Sequence, residues 1–334
     1  MSCSRRQFVQ SSAAAIALSA GTTGPSLFAA EEKPAGGDDL PIVDCHQHLW
    51  DLTKFKLPWV MPGSLMAKNY GMEEYQKAAE GLHIAQAVYM EVDVAADEKT
   101  KEAQHLIEIC KSGKFPTRSA VIGGEPGNAG FAKYANQFKG SPYIKGVRQV
   151  LHSESAAKGM CLEKQFVKSV QLLGELGMSF DLCMRPTELL DGGKLCDLCP
   201  DTRFILDHCG NADVTAFHVT KRPPKAEPEH EVEQWKKDIA AVATRKNVIC
   251  KISGVIARMP TDWPTETLAP IVNHCLDSFG PERVIFGSDW PVCLLGGSCK
   301  AWEHGLLAII AERPLGERKK LLHDNAVAFY GLKV

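Results

Sequence analysis

The sequence predicts a single (β/α)8 TIM barrel of roughly 290 residues, an α/β fold in which each strand is followed by a helix. Three observations predict it: eight short apolar runs recur along the chain, nearly every gap between them has helical period, and no linker-like break follows Pro41. The 334-residue length alone is also compatible with two domains of about 150 residues. The unbroken alternation favours one barrel.

The eight strand runs are PIVDCHQHLW (41–50), HIAQAVYMEV (83–92), TRSAVIGG (117–124), YIKGVRQVLH (143–152), MSFDLCMRP (178–186), RFILDHCG (203–210), NVICKISG (247–254) and RVIFGSDWP (283–291). Their near-continuous apolar character suits strands buried on both faces. Helical period fills Met72–Glu80, Asp97–Ser112, Gly130–Phe138, Leu162–Leu176, Glu188–Cys199, Val232–Arg245 and Thr265–Phe279, and Trp302–Ala311 and Glu317–Tyr330 close the chain. A doubly wound open sheet is the alternative, but its glycine-rich phosphate loop is replaced after the first strand by Asp44-Cys45-His46-Gln47-His48.

Residues 1–30 read as an export signal, and 31–40 as a polar linker. Ser4-Arg5-Arg6-Gln7-Phe8-Val9 precedes a small, weakly apolar stretch from Ala13 to Ala20, with no acidic residue before Glu31. This pattern resembles a twin-arginine signal, which implies the twin-arginine export machinery as a partner and a periplasmic location. The apolar stretch is too short for a stable membrane anchor. Cys3 precedes it, out of place for a lipid-modified cysteine.

Composition narrows the function. Lys plus Arg total 38 against 40 Asp plus Glu, a formal −2, so no basic excess points to nucleic acid and a small-molecule substrate is expected. Removing Arg5 and Arg6 with the signal takes 38 basic residues to 36 against the same 40 acidic, a formal −4. Removing Cys3 takes twelve cysteines to eleven, an odd number that cannot all pair within the chain. Most read as buried small apolar residues. Cys196 and Cys199 form a CxxC spacing inside a predicted helix, without the βαβ setting of a redox motif.

In a barrel of this kind the chemistry gathers where the strands end. Those ends supply His46 and His48 (strand one), Glu91 (two), Arg148 and His152 (four), Arg185 (five), Asp207-His208 (six), Lys251 and Ser253 (seven), and Asp289-Trp290 (eight). Three histidines and an aspartate provide nitrogen ligands or carbonyl-polarising donors together with a carboxylate base. Arg148, Arg185 and Lys251 either favour an anionic or polyhydroxylated ligand or pair with barrel carboxylates. The proline-rich segment 212–230 serves as a wall of the mouth or as a surface loop. The aromatic segment Trp50–Pro62 covers the mouth, or Trp59 packs on the surface.

At this point the chain resembles the amidohydrolase superfamily, a metal-dependent-hydrolase type of barrel, through His46-x-His48, His208 and Asp289. The runs DCHQHLWD, KGVRQVLH, FDLCMRP, ILDHCG, CKISG, FGSDWPVCLLGG and NAVAFYGL are similar to the amidohydrolase-related branch that holds sugar-acid lactonases and 2-pyrone-4,6-dicarboxylate lactonase. The likeness runs from Pro41 to the C-terminus. It implies a hydrolase in which Asp289 is the general base and His46, His48 and His208 bind a metal or polarise the substrate carbonyl. It also implies one divalent ion, with zinc expected and a metal-free mechanism as the alternative. Arg148 matches a substrate-binding arginine; His152, Trp290, Arg185 and Glu91 are placed toward substrate by position. Strand four offers Arg148 and strand five Arg185-Pro186 where two-metal relatives carry ligands, so a two-metal site and a bridging role for Lys145 are not expected. A metal-dependent decarboxylase and a non-catalytic binding protein are the other functional readings.

Overall fold

The computed structural model describes residues 40–218, 227–261 and 264–333. The expected signal, all but the last residue of the linker, and positions 219–226 of the proline-rich segment lie outside the described residues.

Eight parallel strands follow one another round a barrel in chain order: β1 (Ile42–Gln47), β2 (Ile84–Met90), β3 (Thr117–Gly123), β4 (Ile144–Val150), β5 (Ser179–Cys183), β6 (Arg203–Leu206), β7 (Val248–Ile252) and β8 (Val284–Phe286). The main helices of the outer layer are α1 (Met72–Ala78), α2 (Lys99–Ser112), α3 (Phe131–Asn136), α4 (Lys164–Glu175), α5 (Leu189–Leu198), α6 (Val232–Ala243), α7 (Ala269–Phe279) and α8 (Cys299–Ile309). Their inward stripes follow helical spacing: Phe166, Val170 and Leu173 of α4 are fully buried, as are Trp235, Ile239 and Val242 of α6. Burying each such side chain contributes about 1.5–3 kcal/mol, which is why the outer layer holds to the strands. Among the described residues no helix is long and apolar enough to cross a membrane.

The barrel interior is filled by Val43, Cys45, Val88, Met90, Val121, Ile205 and Ile285. Ala326, Tyr330 and Leu332 of the C-terminal segment join this cluster, and the Lys333 carbonyl accepts from Gln86 near the start of β2. The chain end therefore plugs the face opposite the strands' C-terminal ends.

The seam between β1 and β8 is closed by a parallel bridge between Gln47 and Trp290 and by His48 N donating to Trp290 O at 2.8 Å. It is also stapled by the buried Asp44 carboxylate. That group accepts from Ser288 N (2.8 Å), Ser288 Oγ (2.6 Å), the Tyr75 hydroxyl (2.9 Å) and His46 N (3.1 Å). A register irregularity falls in β1 between Asp44 and Gln47, just where the two histidines begin.

Strands five to eight are shorter than the sequence runs suggest. β6 ends at Leu206, and the residues after Asp207 turn across the barrel mouth with positive φ at His208 (54°), Cys209 (51°), Gly210 (65°) and Asn211 (55°). A run of left-handed residues cannot continue a strand.

Candidate active site

Each key side chain is set by a local backbone device. His46 and His48 leave the irregular end of β1, and Asp289 is reached from β8 through Gly287 and Ser288 with φ of 56°. Left-handed backbone costs a non-glycine residue about 1–2 kcal/mol, and His208 and Asp289 both adopt it. Two glycines make room. A Cβ on Gly287 would lie 2.6 Å from His46 Cβ, and one on Gly254 would lie 2.1 Å from His208 Nδ1.

The three imidazoles and Asp289 converge. His48 Nε2 lies 3.2 Å and His46 Nε2 3.6 Å from Asp289 Oδ1. The ring centre of His46 is 4.8 Å from that of His48 and 4.4 Å from that of His208. All four residues are buried.

Donor and acceptor rules then fix protons. A carbonyl only accepts, so His48 Nδ1 donates to Met90 O at 2.9 Å. In a neutral His48 ring, Nε2 turns a lone pair toward the Asp289 oxygen, an arrangement that needs a proton or a cation between them. Arg148 only donates, so His46 Nε2 accepts from its Nη1 at 3.2 Å and the His46 proton sits on Nδ1, 3.7 Å from Asp207 Oδ1. His208 Nδ1 meets Ser253 Oγ at 2.9 Å. Burial, reinforced by Lys251 and the other histidines, holds His46 well below the ordinary imidazole range. Burial also pushes His208 down to about 4, the Asp289 and Asp207 charges offsetting only part of it. Both rings are neutral at pH 7.

A charged layer supports them. Arg148 Nε donates to Glu91 Oε1 at 2.6 Å, its Nη2 to Glu91 O at 2.8 Å, and its Nη1 lies 3.5 Å from Asp207 Oδ2. Lys251 Nζ sits 2.8 Å from Asp181 Oδ2 and 2.9 Å from Asp207 Oδ1. Burial works to raise the Asp207 carboxyl, yet Lys251, His208 and Arg148 together hold it at about 2. Buried charges so paired are costly to break individually.

The amidohydrolase family model, described as "Amidohydrolase", matches residues 43–332. The chain belongs to this family. It is 27% identical over 266 residues to an L-fucono-1,5-lactonase of Burkholderia multivorans, covering 77% of this chain and 84% of that one. It is 23% identical over 341 residues to an L-rhamnono-gamma-lactonase of Scheffersomyces stipitis, covering 87% and 98%. Among solved structures, an amidohydrolase from Burkholderia multivorans with bound zinc aligns with a TM-score of 0.75 at 22% identity, covering 88% of this chain and all of the other. The barrel expected from the sequence is the observed fold, and the protein is a hydrolase of the amidohydrolase family.

For an amidohydrolase metal, the donor set fits. His46, His48 and Asp289 bring one ligand atom each within 4.8 Å of one another, and His46, His208 and Asp207 do the same. His48 is oriented through its second nitrogen by a backbone carbonyl, the usual support of a metal-binding imidazole. A cation held by His48 Nε2 and Asp289 Oδ1 would take the place of the proton in their 3.2 Å hydrogen bond. His46 Nε2 is engaged by Arg148, so ligation through that atom competes with the guanidinium.

Of the other residues that the sequence placed toward substrate, Glu91, Arg148, Arg185 and Trp290 have partners within the protein. Glu91 and Arg148 satisfy each other inside the barrel, and Glu91 Oε2 also accepts from Asp93 N at 2.7 Å. Arg185 binds Glu188 at 2.5 Å and the Ser153 and Ala156 carbonyls at 2.6 and 2.7 Å, tying down the loop after β4. The Trp290 ring packs edge-on against Tyr70 and Tyr75, each 5.4 Å away, in the core. His152 is buried in the loop after β4. Lys145 lies near the start of β4, remote from the mouth. Trp59 covers Trp50 edge-on at 5.5 Å and donates to Val92 O at 2.7 Å. Cys196 and Cys199 are buried and form no disulfide. Beside the mouth, between the loops after β2 and β3, a cavity of about 190 Å³ is lined in part by Lys99, Glu125, Asn128 and Tyr134.

Sequence reasoning gave no role to Asp44, Gly254 or Gly287, and left Asp207 as the neighbour of His208. The signals were present in DCH, ILDH, KISG and FGSD, where a carboxylate or glycine stands beside each site residue.

Proposed function

We propose that the protein opens the ring of a lactone, of the sugar-acid or pyrone type, by attack of water. The observation that carries this is the Asp289 carboxylate set 3.2 Å and 3.6 Å from two imidazole nitrogens at the barrel mouth. The two lactonase relatives support the substrate class. Asp289 takes a proton from water as the water oxygen bonds to the carbonyl carbon. His208, neutral and held at Nδ1 by Ser253 Oγ, polarises the carbonyl oxygen through Nε2–H, and His48 does the same when its Nε2 carries a proton. The ring ester bond then breaks, and Asp289 returns the proton to the departing oxygen, giving a hydroxy acid that releases a proton at neutral pH. Arg148 and Asp207 hold His46 in one tautomer. When a divalent ion, expected to be zinc, is held by His46, His48, His208 and Asp289, it supplies Lewis-acid polarisation and a more acidic water.

The test is a panel of sugar-acid and pyrone lactones at neutral pH, read by proton release, with and without chelator. Turnover of at least one lactone is expected, with Asp289→Asn inactive but folded by circular dichroism. Lactone turnover at the wild-type rate by Asp289→Asn sinks the mechanism. Release of CO2 from an unsaturated carboxylic acid, with no lactone turned over, identifies the decarboxylase instead, and binding without turnover the binding protein. Loss of activity with chelator, restored by zinc, assigns the metal-dependent form.

We also infer from Arg5-Arg6 and the apolar stretch behind them that the chain is exported by the twin-arginine route.

A further inference from the structure

Among the described residues, three clusters bring three metal-binding side chains together. Two of them share His46 and belong to the candidate active site; the third is made of sulfur alone. Cys209 lies in the turn after β6, Cys250 in β7 and Cys275 in α7, and all three are fully buried. Their sulfurs lie within 4.8 Å of one another.

We propose that Cys209, Cys250 and Cys275 form a buried site for a thiophilic d10 cation, of the zinc, cadmium or copper(I) class. Three sulfurs at about 2.3 Å around a trigonal zinc ion stand about 4.0 Å apart, so little rearrangement is needed here. An all-sulfur donor set selects soft ions over magnesium or calcium. A divalent ion that bonds two thiolates and one thiol displaces two thiol protons to solvent and leaves the site neutral, as its apolar surroundings require.

The position gives the site a consequence for the active centre. Cys209 is joined to His208 within four successive residues of positive φ. The turn is otherwise held by Gly210 N donating to Asp207 O at 2.9 Å and by Asn211 Nδ2 donating to Met184 O at 2.8 Å. An ion shared by the turn, β7 and α7 clamps the strained backbone that presents His208. This site is independent of the lactone reading, because it contains none of the groups assigned to catalysis.

The experiment uses the full chain produced with cadmium in the growth medium and then purified. Wild type is expected to show a sulfur-to-cadmium ultraviolet band and one equivalent of cadmium more than Cys275→Ala, while Cys196→Ala, which removes a thiol elsewhere, matches wild type. The histidine and aspartate ligands of the active site give no such band. Equal band and cadmium content in wild type and Cys275→Ala overturn the proposal. Should Cys275→Ala fail to fold, X-ray absorption of the cadmium-loaded wild type decides. Coordination dominated by about three sulfurs supports the site, and nitrogen and oxygen ligands alone overturn it.

Discussion

His208 shows how a single position is tuned by what touches it. Its ring is wedged against Gly254, where even a methyl group would fall 2.1 Å from Nδ1, and it is oriented by Ser253 Oγ. Burial lowers it from an ordinary 6.5 to about 4. The folded protein therefore binds this proton less well than the unfolded chain does. The stability owed to His208 is complete above pH 6.5 and is lost as pH falls toward 4, on the order of 3 kcal/mol in all. Asp181, raised to about 7 chiefly by burial, runs in the opposite direction. Comparison with His208→Gln removes that second contribution. In chelator, the gap in urea unfolding free energy between wild type and His208→Gln should shrink between pH 7 and pH 4. A constant gap would show that the ring titrates normally.

At the scale of elements, the seam between β1 and β8 matters most, because one strand carries His46 and His48 and the other leads to Asp289. Asp44 holds it with four accepted hydrogen bonds. Asp44→Ala leaves four buried donors unsatisfied, and we expect a loss of about 3–5 kcal/mol in chemical denaturation, with activity falling before global unfolding. A stability change under 1 kcal/mol would mean that the backbone bridge alone closes the barrel. The same seam shows what was legible in the sequence. The strands and their order could be read because residues buried on both faces leave long apolar runs, and the helices because Phe166, Val170 and Leu173 recur at helical spacing. Convergence of His46, His48, His208 and Asp289 followed from their places at strand ends. The rest depended on contacts between distant segments. Nothing near Arg148 in the sequence shows that Glu91, 57 positions away, occupies its guanidinium, or that Lys251 lies between Asp181 and Asp207. The left-handed turn at 208–211 was hidden because only one of its four residues is glycine.

For the whole molecule, the proposed twin-arginine export bears on how the chain folds. None of the eleven described cysteines, from Cys45 to Cys299, is in a disulfide, and all are buried. A barrel that folds before crossing the membrane keeps its thiols inside, away from an oxidising compartment. The pair Arg5→Lys and Arg6→Lys should leave the protein in the cytoplasm on cell fractionation while wild type reaches the periplasm. Equal periplasmic recovery would refute the twin-arginine route. The contact between His48 and Asp289 adds a consequence for the order of events, since it joins residues 241 positions apart. Contacts that close so long a loop carry a large entropic cost and depend on intervening structure to bring their ends together. A chain with seven strands in place is already a nearly complete scaffold, yet it lacks Asp289, the proposed general base, beside its histidines. Hydrolytic competence therefore arrives as a step with the closing of the last strand, and a nascent or partly unravelled chain is chemically silent toward its own substrate.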